Sequence, residues 1–234
     1  MHLLSSQASK LGLSLSSEQL MQFSAYQHML LSWNARFNLS AVRTVEGIQL
    51  RHFADSLTCV LVTGDLTGQS LIDVGSGAGL PGLPLKICFP QLALTLVESV
   101  RKKAHFLEAV TAELGFEDVL VLPQRAEDVA RETNHRGRYD WAAARAVAHL
   151  SPLLEYLLPF CRLGGCALAQ KGTRVEEELQ EARHAMEILG GELTEIRPVD
   201  LEGKVNAHLV VVKKVRTTPE DYPRRAGMPV KRPL

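Results

Sequence analysis

Three glycines follow a short apolar run in the first half of the chain, and a carboxylate ends the next such run. Residues 71–82 read Leu-Ile-Asp-Val-Gly-Ser-Gly-Ala-Gly-Leu-Pro-Gly, and Glu98 comes nineteen residues after Gly79. Glycines at a strand-to-helix turn let the backbone approach a ligand, and an acid ending the neighbouring strand can accept hydrogen bonds from ribose hydroxyls. The pattern predicts a nucleotide-shaped pocket at the carboxyl ends of two strands.

Asp73 discriminates between the two ligand classes that use such a pocket. Residues 77–82 fit the dinucleotide pattern, but in a dinucleotide site the first glycine normally follows the strand directly. Here Asp73 comes first, and an acid at the strand tip would repel a pyrophosphate. The same acid suits S-adenosylmethionine, whose ammonium and sulfonium groups are cationic. We therefore expect that cofactor, with a dinucleotide site or a ligand-free turn as alternatives, at Asp73, Gly75, Gly77, Gly79 and Leu80.

Two further segments are placed to hold the adenosine end of this cofactor. Residues 99–100 follow the acid of the second strand, and residues 124–128 enter a helix after the third strand. A backbone amide and a carboxylate at that corner can hydrogen-bond the adenine edge. The same segments are also typical of a surface acid and of an ordinary acidic helix N-terminus. The residues expected to hold the adenosine are Glu98, Ser99, Val100, Ala126 and Glu127.

Arg145 ends the fourth apolar run and is the predicted catalytic residue. Its segment, Trp141-Ala-Ala-Ala-Arg145-Ala, lacks the acid or amide, paired prolines and aromatic that are common where an exocyclic amine is methylated. No cysteine stands next to a proline as a nucleophile for a pyrimidine carbon. Guanine N7 attacks a sulfonium methyl with its own lone pair, so positioning is sufficient. Arg145 would hold guanine O6, a phosphate or the cofactor carboxylate, or form only a structural ion pair.

Alternating apolar and amphipathic runs predict the elements that position these residues. Strands are expected near 70–74, 92–97, 118–122, 139–143, 164–170, 192–199 and 207–214. Helices are expected near 81–88, 101–115, 125–132, 150–160 and 175–188. No helix separates the last two strands, so that pair should be antiparallel. The prediction is an α/β fold of the class I (Rossmann-like) methyltransferase type, with an antiparallel edge strand and an N-terminal helical extension.

Three regions divide the chain. Residues 1–63 carry helical signals, namely a capping box at 16–19 and helices near 3–11 and 44–61, and form the extension. Residues 64–216 form the cofactor-binding domain. Residues 217–234 contain four prolines, so we expect an extended and irregular tail. Seven basic residues and two acids lie between position 213 and the end, which favours a phosphate-binding strip.

The overall composition excludes several classes of protein. The formal net charge is zero, which argues against binding nucleic acid through overall basicity. No run reaches the roughly 18 apolar residues that cross a bilayer, and the first residues lack a secretion signal. The four cysteines show no metal-ligand spacing. We therefore expect a cytoplasmic monomer that uses neither a membrane nor a metal.

In its motifs the chain resembles the bacterial RsmG family, also called glucose-inhibited division protein B. The matching segments, in the family's order, are 33–43, 51–57, 73–82, 125–127, 144–146, 171–172, 208–211 and 222–231. The resemblance implies methylation of a guanine N7 in 16S ribosomal RNA by S-adenosylmethionine. Family members often have Asp at the position of Glu98, a change that keeps the ribose acceptor. They often have Arg at the position of Ala207, so this chain lacks that cation before His208 on its last strand.

An RNA substrate calls for basic residues near the cleft. The residues expected to contact 16S ribosomal RNA or the small ribosomal subunit are Arg125, Lys171, Arg224, Arg225 and Lys231. His208, a weaker candidate, is more typical of a structural residue. Two other classes stay open: a non-catalytic cofactor-binding module associated with ribosomal particles, and an NAD-dependent oxidoreductase.

Overall fold

A seven-stranded sheet forms the centre of the protein. The computed structural model describes residues 1–145, 147–201 and 204–234, with the backbone alone for 204–206. Ala146, in the segment 144–146 named above, lies outside the described residues. The strands are β1 (Ser70–Val74), β2 (Ala93–Val97), β3 (Leu120–Leu122), β4 (Tyr139–Arg145), β5 (Cys161–Lys171), β6 (Gly191–Leu201) and β7 (Lys204–Lys214).

The strand order is β3-β2-β1-β4-β5-β7-β6. The first five strands of the chain pair in parallel, and β7 runs antiparallel to both β5 and β6. The order reverses between β1 and β4, which is where ligands bind in open parallel sheets. The predicted fold class is therefore confirmed.

Helices cover both faces of the sheet. Between the strands lie α6 (Gly82–Cys88), α7 (Arg101–Glu113), α8 (Ala126–Val129), α9 (Leu150–Leu157), α10 (Val175–Glu181) and α11 (Arg183–Leu189). Before β1 the chain forms α1 (His2–Lys10), α2 (Ser17–Asn34), α3 (Val45–Ile48), α4 (Asp55–Leu57) and α5 (Val60–Thr63). Within the ranges described above, no helix is both long and apolar enough to cross a membrane.

Two predicted helices are interrupted. The helix expected over 44–61 contains a π-helical turn, Gln49–Ala54, between α3 and α4. Such turns often lie at functional sites, and here the carbonyl oxygen of Arg51 in the turn accepts a hydrogen bond from Arg145. The helix expected over 175–188 breaks at Ala182, and the one expected over 125–132 ends at Val129.

The N-terminal helices share a hydrophobic core with the sheet. The capping box is present, since Ser16 and Gln19 bond each other's backbone amides. Three fully buried rings, those of Phe23, Tyr26 and Phe53, pack together, with centroids about 5 Å apart in the contacting pairs. They belong to the same core cluster as residues of β1, β2 and α6. The extension is thus held by ordinary core packing.

The C-terminal segment is not the extended tail that its prolines predict. Residues 228–231 form the short helix α12 (Met228–Lys231), and the segment folds back against α9. Arg136 fixes its path by donating to the carbonyl oxygens of Thr218 and Pro219, both at 3.0 Å, and of Tyr222 at 2.8 Å. The proline count was a poor guide because side chains elsewhere satisfy the backbone carbonyls of the segment.

All four cysteines are free thiols. Cys59 and Cys161 are buried, and Cys88 and Cys166 are half-buried. Burial raises the pKa of Cys88 and of Cys161 to about 12. These cysteines therefore remain thiols at neutral pH, as expected for small core residues.

Candidate active site

The strand ends of the first half of the sheet bring the predicted residues to one edge. The glycine loop follows β1, Glu98 follows β2, Arg125 follows β3, and Arg145 is the last residue of β4. Because these four strands are parallel, their carboxyl ends face the same cleft. The cleft lies at the reversal of strand order.

Left-handed glycines shape the loop after β1. Gly75, Gly77 and Gly79 have φ of 69°, 60° and 88°, values that other residues rarely adopt. A Cβ atom on Gly75 would lie 2.9 Å from Val147 Cγ2, whereas one on Gly77 would meet nothing closer than 3.8 Å. The amides of Gly75 and Ser76 both donate to Val97 O, at 2.8 and 3.1 Å. The loop is therefore fixed to β2 and open on its Gly77 side.

Asp73 lies fully buried beneath this loop. Its Oδ2 accepts a hydrogen bond from the Gly82 amide at 2.9 Å, and its Oδ1 has no partner among the described residues. Burial raises the pKa of Asp73 to about 7, against the lowering effects of the Gly82 amide and of Arg145. A buried carboxylate oxygen without a donor is costly, so this position favours a cationic or hydrogen-bonding ligand.

Glu98 is buried and its carboxylate joins two segments of the cleft. Oε2 accepts from the Gly77 amide at 2.9 Å, and Oε1 accepts from the Val100 amide at 2.7 Å. Each oxygen retains a second lone pair that could accept from a ribose hydroxyl. The predicted ribose acceptor thus also connects the glycine loop to the start of α7.

Two cavities lie on either side of Gly75 and Val147, which line both. The first, of about 220 Å³, is bordered by Ser99, residues 124–127, Tyr156 and Val230. The second, of about 340 Å³, is bordered by residues of the glycine loop and by Leu39, Ser40, His52, Lys103 and Arg145. The two cavities therefore adjoin at the carboxyl end of β1, two residues after the buried Asp73. The pair of cavities would accommodate the two ends of S-adenosylmethionine, and we name the first the adenine cavity and the second the methionine cavity.

Arg145 is held by residues of the N-terminal helices. Its Nη1 donates to Asp55 Oδ2 at 2.9 Å and to Arg51 O at 3.1 Å, and its Nη2 lies 3.5 Å from His52 Nδ1. Asp55 is 2% exposed, so this is a largely buried ion pair. The guanidinium therefore has a fixed position at the rim of the methionine cavity.

Sequence reasoning missed His52 and Ser40, which line the methionine cavity next to Arg145. Ser40 Oγ and His52 Nε2 are 2.6 Å apart. Burial, followed by the charge of Arg145, lowers the pKa of His52 to about 4, so the imidazole is neutral near pH 7. Both residues lie in the segments 33–43 and 51–57 that carried the family resemblance, but their spacing alone indicates no site.

The predicted RNA-binding residues fall into two groups. Lys171 Nζ lies 2.5 Å from Glu178 Oε2 and donates to Ala148 O at 2.8 Å. Arg224 forms a salt bridge with the buried carboxylate of Glu155, with Nη2 2.6 Å from Oε2. The second group is exposed and forms no ion pair within the described ranges. It comprises Arg125, Arg225 and Lys231.

Further cations, exposed except for the half-buried Lys103, lie in the segments that line the methionine cavity. Lys103 lines it, Arg51 precedes His52, and Lys102 Nζ lies 5.5 Å from the ring centroid of Phe37 in the loop after α2. That loop also contains Arg36 and Arg43. Within the part of the chain that the structure covers, none of these side chains forms an ion pair with an acid, and no group of His, Cys, Asp and Glu could hold a metal ion.

Proteins with known names resemble this chain along nearly its whole length. The family model described as GidB, rRNA small subunit methyltransferase G, matches residues 19–209. A protein named ribosomal RNA small subunit methyltransferase G from Roseiflexus castenholzii is 49% identical over 97% of both chains. A protein of the same name from Alkaliphilus metalliredigens is 42% identical over 96% of this chain and 95% of that protein.

Solved structures share the fold at much lower identity. A SAM-dependent methyltransferase from Aquifex aeolicus superposes with a TM-score of 0.59 at 15% identity, covering 76% of this chain and 97% of that chain. TrmN from Thermus thermophilus gives a TM-score of 0.53 at 18% identity, covering 69% of this chain and 48% of that chain.

Proposed function

The chain belongs to the GidB family, rRNA small subunit methyltransferase G, and on that premise we propose that it transfers a methyl group from S-adenosylmethionine to N7 of a guanine in 16S ribosomal RNA. The observation that carries the proposal is the unpartnered Oδ1 of Asp73 beneath the glycine loop. A cationic cofactor in the cleft would supply the missing interaction. A dinucleotide would instead place its pyrophosphate against this carboxylate.

Different residues of the cleft would contact different parts of the cofactor. Asp73, Gly75, Gly77, Gly79 and Leu80 would face the methionine portion. The ribose and the adenine would lie against Glu98, Ser99, Val100, Ala126 and Glu127. Bound S-adenosylmethionine supplies an electrophilic methyl group.

Arg145 would orient the reactants and would not act as a base. Guanine N7 carries a lone pair and loses no proton on methylation, so the reaction needs alignment of N7 with the methyl group. An arginine cannot accept a proton, but it can hold guanine O6, a phosphate or the cofactor carboxylate. The buried Asp55 and the carbonyl of Arg51 fix the guanidinium before the substrate arrives.

The RNA would approach along the exposed cations of the cleft. Arg125 lines the adenine cavity, Lys231 follows Val230 of its lining, and Arg225 lies two residues before Gly227, whose amide donates to Glu127. On the methionine side, the set that we name the N-terminal rim comprises the half-buried Lys103 and the exposed Arg36, Arg43, Arg51, Arg101 and Lys102. Lys171 and Arg224 are weaker candidates because each already forms an ion pair with an acid of this chain, Glu178 and Glu155 respectively. Clustered cations explain how a chain of zero net charge could bind RNA.

The experiment that tests this function uses small ribosomal subunits from a strain that lacks the gene. Subunits and purified protein are incubated with methyl-labelled S-adenosylmethionine, and 7-methylguanine is sought in the digested RNA. The expected result is labelled 7-methylguanine at a single position. Cofactor binding without labelled RNA would favour a non-catalytic module, and tight NAD binding without affinity for the sulfonium would favour an oxidoreductase.

A further inference from the structure

We propose that the C-terminal segment, residues 217–234, forms one wall of the adenine cavity, so that docking of this segment and binding of the cofactor stabilise each other. The inference rests on the proposed function in one respect, because it assumes that the adenine of S-adenosylmethionine occupies the cavity of about 220 Å³. It differs from the sequence-based expectation, in which this segment served only as a strip for phosphates.

A buried acid anchors the segment to α9. Glu155 is 0% exposed, and its Oε1 accepts from the backbone amide of Arg224 at 2.7 Å and from Arg224 Nε at 2.9 Å. Its Oε2 accepts from Nη2 of the same arginine at 2.6 Å. A buried carboxylate without a partner is strongly unfavourable. Undocking the segment would therefore leave Glu155 without its arginine, and docking is the favoured state.

A second buried acid joins the segment to the adenine cavity itself. Glu127 is 4% exposed and lines that cavity. Its Oε1 accepts a hydrogen bond from the backbone amide of Gly227 at 2.9 Å. The carboxylate predicted to meet the adenine edge is therefore oriented by the C-terminal segment. A bond that fixes a ligand-contacting group in the free protein reduces the ordering cost of binding.

Val230 supplies the apolar part of the wall. It is 58% exposed although it lines the adenine cavity together with Tyr156 and Val147. Val230 and Val147 also line a neighbouring cavity of about 440 Å³, next to the last two residues of the chain. An apolar side chain that is exposed at a cavity mouth gains burial when a flat aromatic ligand enters. The exposure of Val230 is thus explained by the adenine that would cover it.

The direct test compares two exposed valines. Val230→Ser alters the wall, whereas Val215→Ser alters a valine that is 42% exposed, follows β7 and lines neither cavity of the cleft. Affinity for S-adenosylhomocysteine is measured by calorimetry, with thermal unfolding of each free variant as a check on folding. We expect Val230→Ser to weaken binding about five-fold, as for a lost apolar contact, and Val215→Ser to leave it unchanged. Equal affinities in both variants would overturn the inference.

Hydrogen exchange tests the linkage from the other direction. If docking and cofactor binding stabilise each other, saturating S-adenosylhomocysteine should slow amide exchange in residues 222–232 about ten-fold or more. The reference segment is the first half of β6, on the far edge of the sheet. Unchanged exchange in 222–232, with slowing in the glycine loop, would refute the wall while leaving the proposed function intact. No binding of S-adenosylhomocysteine at all would contradict the proposed function itself.

Discussion

The charge of Asp73 should make cofactor binding depend on pH. Its pKa in the free protein is raised by burial to about 7, so the carboxyl is partly protonated near neutrality. A cationic ligand favours the ionised form, so its binding below about pH 7 must displace a proton. We expect the affinity for S-adenosylmethionine to rise with pH between about pH 5.5 and about pH 7.5, approaching ten-fold per unit at the acidic end.

Asp73→Asn is the control for this pH dependence. The variant should bind the cofactor more weakly at pH 7.5 and should lose most of the dependence. A raised carboxyl pKa also favours the folded free protein at low pH, and that contribution is lost as pH rises through about 7. An affinity of the wild-type protein that stayed flat across this range would contradict the role given to Asp73.

The ion pair between Asp55 and Arg145 yields a second prediction at the residue scale. Asp55→Asn removes the charge that holds the Arg145 guanidinium, at 2.9 Å from Oδ2, while keeping the size of the side chain. Because small displacements of positioning groups are costly in catalysis, we expect kcat to fall about 10- to 100-fold, with a smaller change in KM for RNA.

Glu177→Gln provides the matched control, since its ion pair with Arg174 is exposed on both sides. Exposed pairs contribute little, so this variant should retain full activity. Methyl transfer to small subunits measures both variants, and an Asp55→Asn protein with normal kcat would show that Arg145 needs no positioning partner.

The residues of the cleft differ in how far sequence could reveal them. Asp73, Glu98 and Arg145 were found because they end apolar runs, and parallel strands bring such ends together. Asp55 and His52 reach the cleft from helices packed by the core, and no local pattern reports that packing. The positions of Asp55 and His52 at the cleft therefore depend on how the helices pack against the sheet, which the local sequence does not indicate.

At the scale of elements, two glycines of the same loop serve different purposes. Gly79 is needed for packing and stability, and Gly77 leaves space for a ligand. A Cβ on Gly79 would lie 2.9 Å from Tyr26 Oη and would also overlap Leu83, at a φ of +88°. Gly79→Ala should lower the free energy of unfolding by about 3 kcal/mol, combining left-handed strain with overpacking. Gly77→Ala meets nothing closer than 3.8 Å and should cost about 1 kcal/mol.

Cofactor affinity should distinguish the same two variants in a second way. The added methyl of Gly77→Ala stands in the methionine cavity, so the variant should bind S-adenosylhomocysteine poorly while remaining folded. Urea unfolding and calorimetry measure the two effects. Equal stability of the two variants would contradict the packing described for the loop.

Element boundaries were less predictable than element types. The order of strands and helices after residue 70 follows from apolar periodicity, and the structure agrees with it. The π-helical turn at Gln49–Ala54 and the break at Ala182 have no signal in that periodicity. The path of the C-terminal segment depends on Arg136 and Glu155, which lie far from it in sequence.

At the scale of the whole molecule, the N-terminal helices and the sheet should unfold together. Their residues share one core cluster, and Tyr26 of α2 donates a hydrogen bond to the carbonyl of Ala78 in the glycine loop. The chain has two tryptophans, Trp33 in α2 and Trp141 in β4. Single-tryptophan variants made with Trp→Phe should give coincident urea unfolding curves. An earlier transition for Trp33 would show that the extension unfolds separately.

The distribution of charge should govern RNA affinity. Arg43→Gln with Lys102→Gln removes two cations of the N-terminal rim, and Arg225→Gln with Lys231→Gln removes two from the C-terminal segment. For each double variant we expect the slope of log affinity against log salt concentration to decrease by about 1.5. Arg183→Gln with Arg197→Gln, on α11 and the edge strand β6, is the control and should leave the slope unchanged. An unchanged slope for either double variant would show that its two cations lie outside the RNA-binding face.

The raised pKa values of two cysteine thiols make the native protein slow to react with alkylating reagents. Thiolates are the nucleophilic form, and burial keeps the thiols of Cys88 and Cys161 protonated far above neutral pH. A brief pulse of iodoacetamide would therefore mark the molecules that have opened and spare the closed ones. Cys88 ends α6, the helix that follows the glycine loop. The yield of its adduct would therefore measure how often this helix opens locally.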